Sequence, residues 1–364
     1  MKTKSLFLTA ALCAAVLFSC QKQDIPSPDR QGDSVDGRVR LSFHTESALT
    51  KAASNTNDGT LVNVQVLVFN TADELYRHYS LSSAEVEGRS CDLKNFKVGT
   101  YSMYVVANGP DLSLKVGNRA ELLSTAIELG ACNDPSVGFV MCGMKDGVVV
   151  TADSDTPVTV EISRYVSRVT LSSIKNNLPK SFGSMTVNYA FLSNVAGNQT
   201  IAGNAATTVW YNRDGRKDED GRNSGHIIGV GAYAASCPEN TYADYSQTVS
   251  NGNSITAPKY FYAYPNSLNT RGNGFSNPYV PKATSLDLSV TLTVSGAQHT
   301  YYYNVPLQGT AAAPGILRNY DYDVQVIISG EGAEEPGKWV EKGSISASIT
   351  IKDWTDGAST NIEI

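Results

Sequence analysis

Apolar and polar residues alternate with period two at three places along the chain. Val39, Leu41 and Phe43 alternate with Arg38, Arg40, Ser42 and His44. Leu286, Leu288, Val290, Leu292 and Val294 alternate with Asp287, Ser289, Thr291 and Thr293. Ile345, Ala347, Ile349 and Ile351 alternate with Ser346, Ser348, Thr350 and Lys352. Successive side chains of a strand point to opposite faces, so each pattern predicts a strand with one face on a core and the other in water. Further strands are predicted over 62–69, 101–107, 148–162, 169–174, 186–192, 259–264, 300–307 and 321–328, most of them bounded by Gly, Pro, Asn or Asp. One short helix is expected where Asn118 can cap it, with Glu121 at its third position and Leu122, Leu123 and Ile127 as its apolar face. Between Ile162 and Val169 the apolar positions change from even to odd numbers. A one-residue slip turns every side chain over, so a bulge or a crossing between domains is expected there. This pattern predicts an all-β chain of two antiparallel β-sandwich domains, 38–163 and 164–364, with one or two short helices and long loops over 194–253.

The first residues follow a different pattern. Lys2 and Lys4 precede an apolar run from Ser5 to Phe18, and Leu17-Phe18-Ser19-Cys20 leads into polar Gln21-Lys22-Gln23-Asp24. The run is shorter than the ~20 residues a membrane-spanning helix needs, so residues 1–19 read as a signal peptide. Small Ser19 before Cys20 resembles a bacterial lipobox, which implies cleavage before Cys20 and its acylation; the other reading is an ordinary secretory signal with a chance cysteine. Buried acyl chains contribute ~0.8 kcal/mol per methylene, so several on one residue anchor firmly. Residues 20–37, with Pro26, Pro28, Gly32 and Gly37, read as a flexible tether between lipid and body.

Composition agrees with β structure: 41% of the 364 residues are hydrophobic, and Tyr is abundant at 19. The net charge is −6 and no basic cluster occurs, which argues against nucleic acid as a partner. Cys91, Cys132, Cys142 and Cys237 could form two disulfides in any of three pairings or remain buried thiols, and none lies in a C-x-x-C pair of the kind zinc prefers. No nucleophile-elbow, zincin, phosphate-loop or dinucleotide motif is present. The stretch from Asn212 to Gly221 faintly suggests a calcium loop, but the EF-hand frame puts Arg216 at the first ligand position and Ile227 at the last. Tyr242, Tyr245 and Tyr279 could stack on sugars, and a carboxylate pair for glycoside chemistry depends on three-dimensional spacing. The residues therefore predict no catalytic site, no metal and no cofactor.

Several local patterns occur in an order that resembles the fimbrillins, the lipoprotein pilins (type V pili) of Gram-negative anaerobes. They are the lipobox and tether, an edge strand at 38–44, Val64-Gln65-Val66-Leu67-Val68-Phe69-Asn70, Arg164-Tyr165-Val166-Ser167-Arg168-Val169, Leu317-Arg318-Asn319-Tyr320-x-Tyr322-x-Val324 and Asp353-Trp354. The resemblance implies transthyretin-like sandwiches, export to the outer membrane and cell surface, and a place in a fimbrium that supports adhesion. It also implies a processing protease that cuts in the loop after the first strand. That strand (Val39, Leu41, Phe43) is then removed and a neighbour's C-terminal strand (Ile345, Ala347, Ile349, Ile351) fills the groove. The family's cut usually follows Arg; here the basic residue in the loop is Lys51, before Ala52. Either Lys51–Ala52 is cut, or the subunit keeps its first strand and anchors the fibre base. The partners implied are other fimbrial subunits in a homo- or hetero-polymer, the outer membrane through acyl chains, and a host or bacterial surface ligand. The competing functions are a non-polymerising tip or surface adhesin for glycan or host protein, and a surface enzyme acting on polysaccharide.

Overall fold

A computed structural model of the chain describes residues 37–45, 58–129, 133–134, 138–203, 207–211, 241–267, 283–307, 315–334, 340, 343–353 and 359–363. In chain order the elements of the first part are β1 (Gly37–Thr45), β2 (Val64–Phe69), β3 (Leu75–Ser80), α1 (Ser83–Gly88), β4 (Ser90–Phe96), β5 (Gly99–Ala107), α2 (Arg119–Ser124), β6 (Ala126–Glu128), β7 (Asn133–Asp134), β8 (Gly138–Phe139), β9 (Met141–Val150) and β10 (Asp155–Arg164). The remainder are β11 (Ser167–Asn176), β12 (Phe182–Ser193), β13 (Val195–Ala196), β14 (Asn198–Thr200), β15 (Trp210–Tyr211), β16 (Tyr242–Val249), β17 (Ser254–Ile255), β18 (Lys259–Ala263), β19 (Ser285–Val294), β20 (Ala297–Pro306), β21 (Tyr320–Ile328), β22 (Ile345–Asp353) and β23 (Ser359–Glu363). The fold is all-β, with two short helices among the described residues.

The first sheet runs β3-β2-β5-β9-β10-β1-β4. Its two halves join only where Ser163 and Arg164 of β10 pair with Cys142 and Met141 of β9. Away from that corner the halves separate, and β4-β1-β10 and β9-β5-β2-β3 share one core that includes Val39, Leu41, Phe43, Leu93, Val160, Val66, Val68 and Met103. The sequence pattern suggested one long strand over 148–162. Two strands occupy it instead, because the chain turns at 151–154, where Asp153 adopts a left-handed φ of 53° and Ser154 bonds to Thr151. At the corner a side chain on Gly143 would strike the Glu161 carbonyl, so only glycine allows the two strands to approach.

A second sheet runs β17-β11-β21-β22-β23 with β18 also on β11, and a third runs β16-β12-β19-β20. Pairing is antiparallel except for β1 with β10 and β11 with β21. The parity change at 162–169 falls where the chain leaves β10 in the first sheet and enters β11 in the second. The larger core lies between the second and third sheets and continues into the first part of the chain through Leu67, Phe69, Tyr104, Val106 and Phe139. β2 is therefore buried on both faces.

Helix α2 forms where expected: Asn118 Oδ1 accepts the Glu121 amide at 2.9 Å. Ile127 lies beyond it, buried in β6, because the helix ends at Ser124. Replacing Asn118 with alanine removes the cap and should lower stability by about 1 kcal/mol, measurable by thermal denaturation. An unchanged midpoint would show that packing alone holds the helix.

Candidate functional site

Strand β1 is fully integrated into its sheet. On one side it runs parallel to β10, with Leu41 beside Val158 and Phe43 beside Val160. On the other it runs antiparallel to β4, with Val39 beside Leu93 and Leu41 beside Cys91. Val39, Leu41 and Phe43 are at most 1% exposed. The expectation of an edge strand does not hold: among the described residues β4 occupies the edge, with β1 as its neighbour in the sheet. Parallel pairing with β10, about 115 residues away in sequence, is a long-range contact that period-two alternation cannot show.

The two faces of β1 differ in strength. Its outer face makes surface contacts: Arg40 lies 3.1 Å from Asp155 and 3.5 Å from Asp92, and Ser42 Oγ meets Thr159 Oγ1 at 3.0 Å. Exposed ion pairs of this kind contribute about 0–1 kcal/mol each. Burying three large apolar side chains contributes ~1.5–3 kcal/mol each, roughly 5–9 together. Burial therefore holds the strand, and its loss would uncover an apolar slot flanked by the backbone edges of β10 and β4. β4 is also held from across the sandwich, where Arg77 donates to the carbonyls of Lys94 and Asn95 at 3.0 and 2.7 Å.

The C-terminal strand occupies a similar interior position. β22 pairs along its whole length with β21, Ala347 facing Val326, Ile349 facing Val324 and Ile351 facing Tyr322. β23 closes its other side. Ala347, Ile349 and Ile351 are buried in the larger core, with Ile345 packed against it.

The two motifs around Arg164 and Arg318 meet behind β10. Arg318 donates to the carbonyls of Arg164 (2.8 Å) and Ser163 (2.9 Å), and its guanidinium lies 3.9 Å from the Tyr165 ring centre. Asn319 Oδ1 accepts from Arg164 at 3.4 Å, and the Asn319 amide donates to Val166 O. Deeper in, Arg168 bridges two carboxylates, Asp58 and Asp321, at 2.7 Å each. The Tyr262 hydroxyl donates to Asp58 at 2.6 Å and the Thr170 hydroxyl to Asp321 at 2.9 Å. Arg164 donates to the Asp58 carbonyl at 2.8 Å. Burial raises the Asp58 carboxyl above its ordinary value, against the lowering pull of Tyr262, Arg168 and Arg164. Burial lowers Arg164 to about 10. It would lower Arg168 as well, but Asp321 and Asp58 hold that guanidinium above its usual range. Asp58 is the first described residue after β1, and this network holds the chain at that residue against the strands β11, β18 and β21. Charged residues inside the apolar stretch 162–171 were the available sequence signal for it.

Other candidates are dispersed. Cys91 and Cys142 are both buried, and burial pushes the Cys142 thiol up to about 11. Tyr242 stacks on Tyr189 at 5.6 Å, and Tyr245 is half-buried. Among the described residues no group of three or more His, Cys, Asp or Glu side chains is placed to hold a metal ion, and no helix is long and apolar enough to cross a membrane. Cys20, Lys51, Ala52, Cys132, the 212–221 loop, Cys237, Tyr279 and Trp354 lie outside the described residues.

Residues 28–206 match the family of fimbrillin-A associated anchor proteins Mfa1 and Mfa2. No curated protein sequence matches the chain. Among solved structures, a fimbrilin (FimA) of Porphyromonas gingivalis superposes with a TM-score of 0.64 at 13% identity, covering 88% of this chain and 98% of that one. A proposed cell adhesion protein of Parabacteroides distasonis gives 0.60 at 17% identity, covering 89% and 100%. Another, of Bacteroides eggerthii, gives 0.59 at 18% identity, covering 90% and 98%. At these identities the structural likeness establishes a shared fold. The likeness to the fimbrillins therefore holds, with residues 28–206 carrying the sequence pattern of the fimbrillin-A associated anchor proteins.

Proposed function

We propose that this chain is a structural, non-enzymatic subunit of surface fimbriae, exported as a lipoprotein precursor acylated at Cys20. Strand β1 is its exchangeable element. A protease cut at Lys51–Ala52 frees the strand, a donor strand from a neighbouring subunit takes its slot, and repetition builds a fibre on the outer membrane that supports adhesion. The observation that carries this reading is the seat of β1. It is the first of the described strands, is fully buried on one face, and is joined to the next described residue, Asp58, through residues 46–57. A strand at the start of the fold can leave without threading the rest of the chain, and small, polar stretches such as the Ser-, Thr- and Asn-rich 46–57 are where proteolytic nicking concentrates. Refilling the slot restores apolar burial and two hydrogen-bonded ladders, which is β-augmentation between subunits. A head-to-tail contact that does not close makes a filament.

An anchor that keeps β1 at the fibre base is the second reading. It is favoured by the seating of β22 between β21 and β23, since donating that strand would open the subunit's own core. N-terminal sequencing and mass analysis of protein sheared from cells separate the two. A start at Ala52 is expected for an exchanged stalk subunit, and an intact acylated Cys20 for the anchor. A mature, unacylated N-terminus upstream of β1 would defeat both.

A further inference from the structure

We infer that the slot under β1 accepts an incoming strand in one register, and that its partner is a different subunit whose donor reads glycine followed by three large apolar residues at alternate positions. This rests on the exchange reading. The register is set at Gly37. A side chain there would come within 2.4 Å of Val150 Cγ1 and 2.7 Å of the Thr151 carbonyl oxygen, so that end of the slot is closed to any residue but glycine. The next three inward positions hold Val39, Leu41 and Phe43, all fully buried. β10 and β4 present edges already set for a parallel and an antiparallel neighbour, so an occupant running in the sense of β1 completes both ladders.

The chain's own tail does not fit this slot. Running in the same sense, residues 343–351 read Gly343-Ser344-Ile345-Ser346-Ala347-Ser348-Ile349-Thr350-Ile351. Setting Gly343 at the Gly37 position puts Ile345 on Val39 and Ile349 on Phe43, but leaves Ala347 in the space of Leu41. Moving the tail two residues one way places Ile349 and Ile351 on Leu41 and Phe43, but drives Ile345 into the closed end. Moving it the other way puts Gly343 on Val39 and Ala347 on Phe43. A shift by one residue turns the serines inward. Residues 359–363 offer one large apolar residue, Ile362. Ala347 suits its own sheet, where it is buried opposite Val326, and Gly343 has a local reason to be glycine, a turn with φ of 100°. The tail is shaped for its own subunit and the slot for another chain's strand.

The test uses the full chain with a site-specific protease sequence placed within residues 46–57, cut, and offered labelled peptides in exchange for β1. The peptide of residues 37–45 should bind. The native 343–351 peptide should bind at least about 100-fold more weakly, and Ala347→Leu in it should recover most of the loss. Gly37→Val in the 37–45 peptide should abolish binding. A native tail within about threefold of the 37–45 peptide, or a Gly37→Val peptide as good as its parent, overturns the inference while leaving exchange intact. If the cut chain exchanges no peptide at all, exchange fails and the inference with it.

Discussion

Replacing Arg168 with alanine should destabilise the folded chain by about 3–5 kcal/mol, because it leaves two carboxylates buried without their shared cation. Asp58 and Asp321 each lie 2.7 Å from that guanidinium, and their side chains are only 5% and 11% exposed. The penalty should depend on pH. Burial already raises the Asp58 carboxyl above its ordinary value, and loss of Arg168 raises it further. A carboxyl raised in the folded state is destabilising once pH exceeds its unfolded value near 4, so the deficit of Arg168→Ala should grow from pH 4 to pH 7. Combining Arg168→Met with Asp58→Asn and Asp321→Asn should recover much of the loss, as neutral replacements of buried ion clusters often do. Urea denaturation of the variants at both pH values measures this. A deficit under 1 kcal/mol at pH 7 would mean that water reaches the cluster and that it does not pin residue 58.

That cluster also marks where sequence reading stops. Alternation located β1, β19 and β22, and the Asn118 cap located α2 because its hydrogen bond spans three residues. β1 and β22 bury one face as expected, but β19 buries both over Ser285–Val290, because Ser193 and Asn304 donate to Asp287 and Asn188 donates to Ser289, so its polar face is covered and not in water. Asp58, Arg168 and Asp321 are separated by 110 and 153 positions, and nothing local links them. β3, Leu-Tyr-Arg-His-Tyr-Ser, lacks clean alternation because its residues are partly buried on both faces. β4 is interrupted by a register shift opposite Gly37 and by left-handed Asn95, which break its period. The β9–β10 turn contains neither Gly nor Pro, so two strands read as one. The interior position of β1 depends on β10 and β4 approaching from remote parts of the chain. Alternation reports which face of a strand is buried; it does not report how many neighbours the strand has.

Phe43→Ala should cost about 3–5 kcal/mol, and the damage should stay within the first sandwich. Phe43 packs in the core formed with Val160, Val66 and Met103, which is separate from the core that holds β19 and β22. Hydrogen exchange should therefore speed up in β10 and β4 and remain slow in β19. Arg40→Ala, which removes only the exposed contacts to Asp92 and Asp155, should cost no more than about 1 kcal/mol. The contrast tests whether the inner face of β1 holds it in place. In a chain cut within 46–57, Phe43→Ala should release the 37–45 strand about 100-fold faster or more, because in this packed slot the lost contacts would appear mainly in the dissociation rate. Release of β1 should take away the neighbour that β4 has among the described strands, so exchange in β4 should rise along with it. Equal loosening of β19 and β4 would mean that the two cores unfold as one, and a subunit of that kind could not surrender its first strand and keep the rest folded.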